Sequence, residues 1–310
     1  MKNHDRDVIV SALRHAAPYI RLYKKKIFVL KAGGEVFTSD EATRHLLEQV
    51  GLLHQVGIRV VLVHGGGPQV TELAEALGVP TQMVGGRRVT DRQTLDVTTM
   101  VLNGKINTRI LAACRDLHLP AIGLSGVDAG LIKAHKRLPV EVEGHAGGPV
   151  DFGFVGDIDS VDPDVVRAQL DNGMVPIVSP LSADDNGMVL NINADTVAAA
   201  LATALGASKL ILTMGAPGIL EDRHNPSSLV SYLDLEDLQE LRANGSLAEG
   251  MLPKARAIEA AIKGGVPRVH LISYKIPDSL LLEIFTNEGT GTLVVADTDT
   301  LTAEEQEAGA

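Results

Sequence analysis

The sequence predicts an α/β protein: an open, mainly parallel sheet sandwiched by helices, with an N-terminal helical extension. Two apolar segments, 27–30 and 58–63, each lead into a glycine-rich turn and then an amphipathic segment, the pattern of successive βα units. Aromatic residues make up only 3% of the chain and tryptophan is absent, so the core must be aliphatic. Such strands are typical of parallel sheets that are covered on both faces.

Bulk composition argues against several classes of partner. The 310 residues carry a formal net charge of −11 without a block of Lys or Arg, which disfavours nucleic acid and anionic membranes. No stretch approaches 18 apolar residues, so no membrane span is predicted. No secretory signal is visible at the N-terminus, so we expect a cytoplasmic protein. Cys114 lies on the apolar side of a predicted helix and is interpreted as a buried, unreactive thiol.

The first predicted element is an amphipathic helix at 5–24, which Pro18 should kink or split. After the first strand, Thr38 and Glu41 fit a capping box that begins the next helix. The remaining elements of this half are a helix to about Val56, strand 58–63, a helix to about Leu77, a helix at 92–117 and strand 121–124.

Residues 131–160 alternate over short segments around glycines, which predicts antiparallel hairpins projecting from the sheet. The elements predicted after them are helix 162–172, strand 175–179, helix 194–205, strand 209–213, helix 234–243, a helix after GMLPK, strand 268–273, helix 278–287 and strand 292–295. The tail TAEEQEAGA is predicted to be disordered.

Two glycine turns, KAGG at 31–34 and HGGG at 64–67, follow buried strands. Ligands of open α/β sheets bind at the carboxyl ends of strands, where glycines let backbone N–H groups approach an anion. Each turn alone is better explained as a tight βα connection, but both together with Lys31 favour a phosphate. GxxxxGK[ST], GxGxxG and GxSxG are all absent, so other phosphate motifs and a hydrolase elbow are disfavoured.

Polar residues mark two further helix starts. Asn191, Asn193 and Asp195 are spaced by two at a strand-to-helix junction, where Asn193 can be an N-cap and Asp195 a first-turn acid. That structural explanation leaves Asn191, inside an apolar run, unexplained. Lys254 opens a helix, where a cation is unfavourable against the helix dipole unless it meets an anion.

In this order, the four stretches resemble the amino-acid kinase family over about residues 26–295, and most closely its branch that phosphorylates N-acetylglutamate. The resemblance implies ATP with Mg²⁺ and N-acetyl-L-glutamate as substrates, and phosphorylation of the side-chain carboxylate in arginine biosynthesis. A carboxylate is ionised at neutral pH, so no general base is required. The supporting segments are RRVTD at 87–91, GLSGVDAGLI at 123–132, VDFGFVGDI at 150–158 and NEGTGTLVV at 287–295.

The resemblance also implies residue roles and no protein-held metal. Lys31 and Lys254 would neutralise phosphate charge, with Asp195 orienting both. The N–H groups of Gly34 and Gly66 would bind the transferring phosphoryl. The implied substrate-binding residues are Gly33, Gly34, Gly65, Gly66, Arg88, Asn191 and Asn193, with Arg88 clamping a carboxylate. The implied nucleotide-binding residues are Thr213, Gly215, Gly218 and Lys254.

The N-terminal helix is similar to that of the arginine-sensitive branch. This implies inhibition by L-arginine and a homo-oligomer, either a dimer or a hexamer of dimers joined through the N-terminal helices. The matching arginine site would be Tyr19, His270, Glu283, Glu288, Gly289 and Gly291; alternatively, Tyr19 packs and NEGTG is a turn. The implied division is 1–25 N-terminal helix, 26–180 substrate lobe, 181–298 nucleotide lobe and 299–310 flexible tail.

Two departures from the pattern of acetylglutamate-phosphorylating enzymes leave alternative functions open. Met214 and Gly215 stand where the family commonly has a hydroxyl residue and Asp, and Ala32 replaces a larger apolar residue. Both ends also resemble the kinase-like domain of bacterial N-acetylglutamate synthase, which binds arginine without transferring phosphate. A non-catalytic arginine-binding regulatory module and a kinase for a related acyl amino acid therefore remain alternatives. The presence of all three charged residues, Lys31, Asp195 and Lys254, favours the kinase.

Overall fold

The computed structural model describes residues 3–142, 147–222, 225, 228–243, 245, 247, 249–287 and 289–301. Its strands are β1 (Ile27–Ala32), β2 (Arg59–His64), β3 (Gln82–Val84), β4 (Arg87–Val89), β5 (Ala121–Ser125), β6 (Ile132–Lys136), β7 (Gly156–Val161), β8 (Val175–Ser179), β9 (Leu181–Ala183), β10 (Val189–Asn191), β11 (Lys209–Met214), β12 (Tyr232–Leu233), β13 (Val269–Ser273) and β14 (Thr292–Val294).

Helices precede the first strand and connect most of the later ones. They are α1 (Asn3–Tyr23), α2 (Asp40–Gln55), α3 (Gly67–Ala76), α4 (Arg92–Thr99), α5 (Thr108–Asp116), α6 (Asp164–Asp171), α7 (Ala194–Leu205), α8 (Leu235–Ala243), α9 (Leu252–Lys263) and α10 (Ser279–Phe285). Short 3₁₀ turns include Gly34–Phe37, directly after the first glycine turn.

The main sheet has eight strands among the described residues, in the order β12-β14-β13-β11-β1-β2-β8-β5. All neighbours are parallel except β13 and β14, which are antiparallel. One face is covered by α6, α7, α8 and α9, and the other by α2, α3, α10 and the helical segment between α4 and α5. The predicted open, mainly parallel sheet sandwiched by helices is therefore confirmed.

Strand β1 lies at the centre and shows why its sequence is continuously apolar. Val29 belongs to the core under α7, and Phe28 and Leu30 belong to the core on the opposite face. Because side chains alternate along a strand, both faces demand apolar residues. The same alternation places Lys31 on the face of Val29, toward the N-terminal end of α7.

The predicted hairpin region contains an antiparallel pair, β6 and β7, as expected. These strands belong to a separate four-stranded sheet in the order β10-β9-β6-β7. Strands β3 and β4 form a further antiparallel pair. Sequence analysis missed β3, β4, β9 and β12, because strands of two or three residues are too short to show a period.

One local prediction was wrong and two hold in part. Helix α1 forms as predicted and continues through Pro18 to Tyr23, so it is not split there. The N-cap of α2 is Ser39, whose side chain accepts from the Ala42 N–H, whereas the Thr38 hydroxyl donates to the Glu35 carbonyl. The predicted helix 92–117 is present as a continuous helical run, in which Met100–Asn107 forms a wider π-helical segment between α4 and α5.

Two other predictions can be compared with the structure directly. Cys114 is buried, and burial raises the pKa of its thiol to about 12, which confirms an unreactive side chain. None of the helices in the described part of the chain has the length and hydropathy needed to cross a membrane. The predicted disordered tail, 302–310, lies outside the described residues.

Candidate functional site

Lys31, Asp195 and Lys254, here called the lysine cluster, meet at the carboxyl end of β1. The Lys31 ammonium lies 2.9 Å from Asp195 Oδ1, and the Lys254 ammonium lies 2.9 and 3.0 Å from the two carboxylate oxygens. Asp195 sits in the first turn of α7, whose N-cap is Asn193. The Asn193 side chain accepts from the N–H groups of Asp195 and Thr196, so its predicted capping role is confirmed.

The lysine cluster holds one positive charge in excess. Burial is the largest influence on Asp195 and would raise its pKa, but the charges and hydrogen bonds of both lysines together hold the pKa below its usual value. Burial, followed by the charge of Lys31, lowers the pKa of Lys254 to about 8, against the attraction of Asp195. A mostly buried site with surplus positive charge favours an anion.

The two glycine turns touch each other beside the lysine cluster. A Cβ on Gly34 would lie 2.9 Å from the Cα of Gly66, and a Cβ on Gly66 would lie 2.6 Å from Ile106 Cδ1. The Gly65 N–H donates to the Ala32 carbonyl at 2.8 Å, whereas those of Gly34 and Gly66 have no hydrogen-bond partner among the described residues. Close packing therefore requires glycine, and two N–H groups remain available for an anion.

A cleft of about 980 Å³ opens over these groups. Arg88 is half-buried there and donates to Thr81 Oγ1, Thr71 Oγ1 and the Gly67 carbonyl at 2.7–3.3 Å. No carboxylate pairs with Arg88 among the described residues, and burial lowers its pKa. Of the predicted substrate-binding and catalytic residues, those lining the cleft are Lys31, Gly33, Gly34, Gly65, Gly66, Arg88, Asn191, Asn193 and Asp195.

Asn191 reaches the cleft from the end of β10, where its amide lies 3.4 Å from Thr90 Oγ1. Sequence analysis missed four further arginines that line the cleft: Arg87, Arg137, Arg242 and Arg256. Arg137 forms a forked ion pair with Asp157, with N–O distances of 2.6–3.1 Å. The only sequence signal was the doubled arginine at 87–88.

Of the predicted nucleotide-binding residues, Lys254 belongs to the lysine cluster through its contacts with Asp195. Thr213 lies in β11, Gly215 and Gly218 follow that strand, and none of the four is among the residues that line the cleft. The Thr213 hydroxyl is buried without a hydrogen-bond partner among the described residues. A Cβ on Gly218 would lie 2.5 Å from Thr292 Oγ1, so dense packing alone explains that glycine.

A second buried cluster of Lys209, His270 and Glu283, here called the histidine cluster, lies on the opposite face of the sheet, on β11, β13 and α10. His270 Nδ1 is 2.7 Å from Glu283 Oε1, and His270 Nε2 is 2.8 Å from the Lys209 ammonium. An ammonium can only donate, so Nε2 accepts and Nδ1–H donates to the carboxylate. Burial and the charge of Lys209 lower the pKa of His270, in keeping with a neutral ring.

Glu283 also accepts from the Thr290 N–H at 2.7 Å. Burial would raise its pKa, but this N–H and His270 hold the pKa below its usual value. A Cβ on Gly289 would lie 2.9 Å from Glu283 Oε2, so this glycine packs against the carboxylate. A Cβ on Gly291 would lie 1.9 Å from the Leu271 carbonyl oxygen, which requires glycine irrespective of a ligand.

Helix α1 joins this region through its last turns. The Tyr19 hydroxyl donates to Asn287, and its ring packs edge-on against Phe285 at 6.5 Å. The Lys209 ammonium lies 5.1 Å from the centre of the Tyr23 ring. The structure therefore brings Tyr19, His270, Glu283, Gly289 and Gly291 into one region, while the predicted residue Glu288 lies outside the described residues.

Lys209 and Tyr23 were missed by sequence analysis. A lysine that opens an otherwise apolar buried strand was the available signal for the first. In the described part of the chain, no group of three or more His, Cys, Asp or Glu side chains is arranged to hold a metal ion.

The family follows from comparison with known proteins. A model of the amino acid kinase family matches residues 26–273, and the chain belongs to this family. The chain is 49% identical over 290 residues to the acetylglutamate kinase of Myxococcus xanthus, covering 93% of this chain and 94% of the relative. It is 43% identical to that of Heliobacterium modesticaldum, over 91% of this chain and 96% of the relative. These relatives confirm the prediction of a phosphotransferase in the acetylglutamate kinase branch.

Solved structures extend this likeness. The N-acetylglutamate synthase of Neisseria gonorrhoeae, complexed with coenzyme A and N-acetylglutamate, superposes with a TM-score of 0.80 at 29% identity. Its complex with coenzyme A and L-arginine gives 0.79 at 28% identity. These matches cover 93% of this chain but only 64% and 65% of the synthase chain. A carbamate kinase from Giardia lamblia, 16% identical with a TM-score of 0.59, shows the same fold over 88% of this chain and 99% of its own.

Proposed function

We propose that this protein transfers the γ-phosphoryl group of MgATP to the side-chain carboxylate of N-acetyl-L-glutamate. The lysine cluster carries the proposal, because its surplus positive charge lies beside two glycine N–H groups that no described residue binds. Phosphoryl transfer requires charge neutralisation and alignment more than covalent catalysis. The acetylglutamate kinase relatives support the choice of substrate.

Each part of the site then has one task. The ammonium groups of Lys31 and Lys254 neutralise the transferring phosphoryl and the nucleotide phosphates, and Asp195 fixes both lysines. The N–H groups of Gly34 and Gly66 hold the phosphoryl, and half-buried Arg88 binds a carboxylate of the acyl amino acid. Asn191, Asn193, Gly33 and Gly65 shape the substrate site. We assign residues 26–180 to substrate and 181–298 to nucleotide, the latter through Thr213, Gly215 and Gly218.

The direct test is ADP release from MgATP by the purified protein, with N-acetyl-L-glutamate, N-acetyl-L-aspartate or N-acetyl-L-aminoadipate as acceptor. We expect rapid turnover with the glutamate derivative and at least tenfold slower turnover with the others. Trapping the acyl phosphate with hydroxylamine distinguishes transfer to a carboxylate from ATP hydrolysis. Preference for the aminoadipate derivative would instead identify a kinase for a related acyl amino acid.

We also infer that L-arginine inhibits the reaction by binding near the histidine cluster. Glu283, buried and ionised, offers an anion to a guanidinium, and Tyr19 connects α1 to this region. Helix α1 exposes apolar side chains, including Val8, Ile9 and Leu13, which suit pairing with α1 of another copy. The predicted dimer or hexamer through the N-terminal helix therefore belongs to this proposal.

Deleting residues 1–24 tests both parts together. We expect a lower mass in light scattering and at least tenfold weaker arginine binding in calorimetry, with N-acetylglutamate phosphorylation retained. Unchanged mass and unchanged arginine affinity would contradict the role of α1.

A non-catalytic arginine-binding module is the second candidate, favoured by the likeness to the synthase complexed with L-arginine. Met214 and Gly215 near the proposed nucleotide site are its sequence argument. Arginine binding in calorimetry without ADP release would select this candidate over the kinase.

A further inference from the structure

The second glycine turn is tied to the protein interior by a chain of three hydrogen bonds. His64, the fully buried last residue of β2, has Nδ1 3.1 Å from the Gly65 carbonyl oxygen. Its Nε2 lies 3.2 Å from Asn107 Nδ2, and this amide nitrogen lies 3.0 Å from the Ile177 carbonyl oxygen. Asn107 is buried and ends the π-helical segment.

These contacts determine where the imidazole proton resides. The Ile177 carbonyl can only accept, so the Asn107 side chain must present its NH₂ group there. The second hydrogen of that group then points at His64 Nε2, which must accept it. The ring proton is therefore on Nδ1 and is donated to the Gly65 carbonyl. Burial lowers the pKa of His64 to about 4, so the ring is neutral at physiological pH.

The Gly65 carbonyl and the Gly66 N–H belong to one peptide unit. This unit is planar and trans, so its C=O and N–H point in opposite directions. A peptide between two glycines can rotate at little steric cost, because neither residue has a Cβ. A bond that holds the Gly65 carbonyl toward His64 therefore directs the Gly66 N–H away from it. That N–H is one of the two without a partner among the described residues.

We propose that His64 and Asn107 are positioning residues that aim the Gly66 N–H at the transferring phosphoryl group. The inference rests on the proposed function, since it assigns Gly66 a transition-state contact. His64 transfers no proton; its contribution is orientation before the reaction begins. The first glycine turn is braced in a similar way, because Gln69 Nε2 donates to the Gly34 carbonyl at 2.7 Å.

Three substitutions of His64 separate the two hydrogen bonds. In His64→Asn, the side-chain amide nitrogen takes the place of Nδ1 and keeps the bond to the Gly65 carbonyl. In His64→Gln, the longer side chain keeps the contact with Asn107 and loses the bond to Gly65. In His64→Leu, both are lost. Ser182→Ala is the matched control, because Ser182 is equally buried, donates to the Ile132 carbonyl, and lies outside the cleft.

We expect kcat to fall roughly 100-fold in His64→Leu and His64→Gln, the usual effect of losing one oriented donor in a transition state. His64→Asn should retain kcat within about tenfold of wild type. The KM values for MgATP and N-acetylglutamate should stay within about threefold of wild type, because the contact of the Gly66 N–H with the phosphoryl group strengthens only in the transition state. Affinity for MgADP with aluminium fluoride and N-acetylglutamate should fall in parallel with kcat, whereas affinity for a non-hydrolysable ATP analogue should not.

Equal kcat values for His64→Asn and His64→Gln would overturn the inference, as would a folded His64→Leu with kcat within twofold of wild type. If circular dichroism shows that His64→Leu does not fold, the comparison of His64→Asn with His64→Gln tests the inference. A kcat loss in Ser182→Ala matching that of His64→Gln would indicate general destabilisation and overturn it too.

The tautomer gives a readout independent of turnover. ¹⁵N NMR of histidine-labelled protein, with His64 assigned by the His64→Asn variant, should show a neutral ring protonated on Nδ1 from pH 5.5 to 8. An Nε2–H tautomer would overturn the inference even if the kinase is active. Absence of turnover in wild type, with the Nδ1–H tautomer present, would reject the proposed function and leave the geometry intact.

Discussion

The lysine cluster and the histidine cluster use similar components on opposite faces of one sheet. Each contains one buried carboxylate and two basic side chains, all connected by contacts of hydrogen-bond length. In the first, both basic groups are lysines, so one positive charge remains uncompensated. In the second, a neutral histidine separates lysine from glutamate, so the charges balance.

The surroundings of the two clusters also differ, since only the lysine cluster is open to a ligand. The lysine cluster faces a cleft of about 980 Å³ and lies beside the Gly34 and Gly66 N–H groups, which have no partner within the described part of the chain. The Glu283 carboxylate is satisfied by His270 and the Thr290 N–H. A site built to receive an anion keeps its charge unbalanced and open, whereas a balanced cluster holds secondary-structure elements together until a competing ligand arrives.

The largest effect is expected when the surplus positive charge of the lysine cluster is removed. Lys31→Met should lower kcat about 1,000-fold, because a cation that contacts a transferring phosphoryl is worth at least that much. Folding should persist, since Lys254 still pairs with Asp195. Steady-state kinetics and circular dichroism provide the measurement, with exposed Lys133→Met as the matched control. Lys31→Met activity near that of wild type would remove the lysine cluster from the mechanism.

A smaller effect is expected at the mouth of the cleft. Arg88→Lys should raise KM for the acyl amino acid roughly 10- to 100-fold with kcat within about threefold, because an ammonium cannot reproduce a forked contact with a carboxylate. Initial rates at varied N-acetylglutamate measure this, and the exposed Arg115→Lys is the control. A change in KM for ATP alone would place Arg88 on the nucleotide instead.

The pH dependence should reveal the unbalanced charge. The free-enzyme pKa of Lys254 is about 8, so the ammonium is lost as pH rises through that value. We expect kcat/KM to fall about fivefold from pH 8 to pH 9, and kcat to fall only at higher pH, because bound phosphates favour the ammonium. Lys254→Arg should abolish this alkaline decrease in kcat/KM, since arginine stays charged. A wild-type kcat/KM that is flat between pH 7 and 9.5 would contradict the assignment.

The charge balance of the histidine cluster should be visible in the free energy of unfolding and its dependence on pH. The folded-state pKa of Glu283 is lowered, so its contribution is present above the unfolded pKa, about 4.3, and is lost as pH falls through the folded value. Glu283→Gln should reduce the free energy of unfolding at pH 7 by about 1–3 kcal/mol and flatten the loss between pH 5 and pH 3. Urea titrations at both pH values test this, with the more exposed Glu259→Gln as control. Equal pH slopes for wild type and Glu283→Gln would count against the bonded carboxylate.

Local sequence was sufficient for much of this molecule. Alternating βα units, the glycines after β1 and β2, and the Asn193 cap each depend on neighbours along the chain, so periodicity and turn chemistry could reveal them. The roles of Lys31, Asp195 and Lys254 came from family resemblance rather than from pattern. Short strands such as β9 and β12 gave no periodic signal and were missed.

By itself, the sequence determined the α/β class, the family and the lysine–glycine edge of the sheet, because these are written in contiguous segments. Only tertiary structure decided which polar groups meet. Asn107 reaches His64 across 43 residues, and Lys209 reaches His270 across 61. The proton position on each histidine depends on such a partner. No local pattern specifies these contacts, since they exist only once the strands and helices have packed.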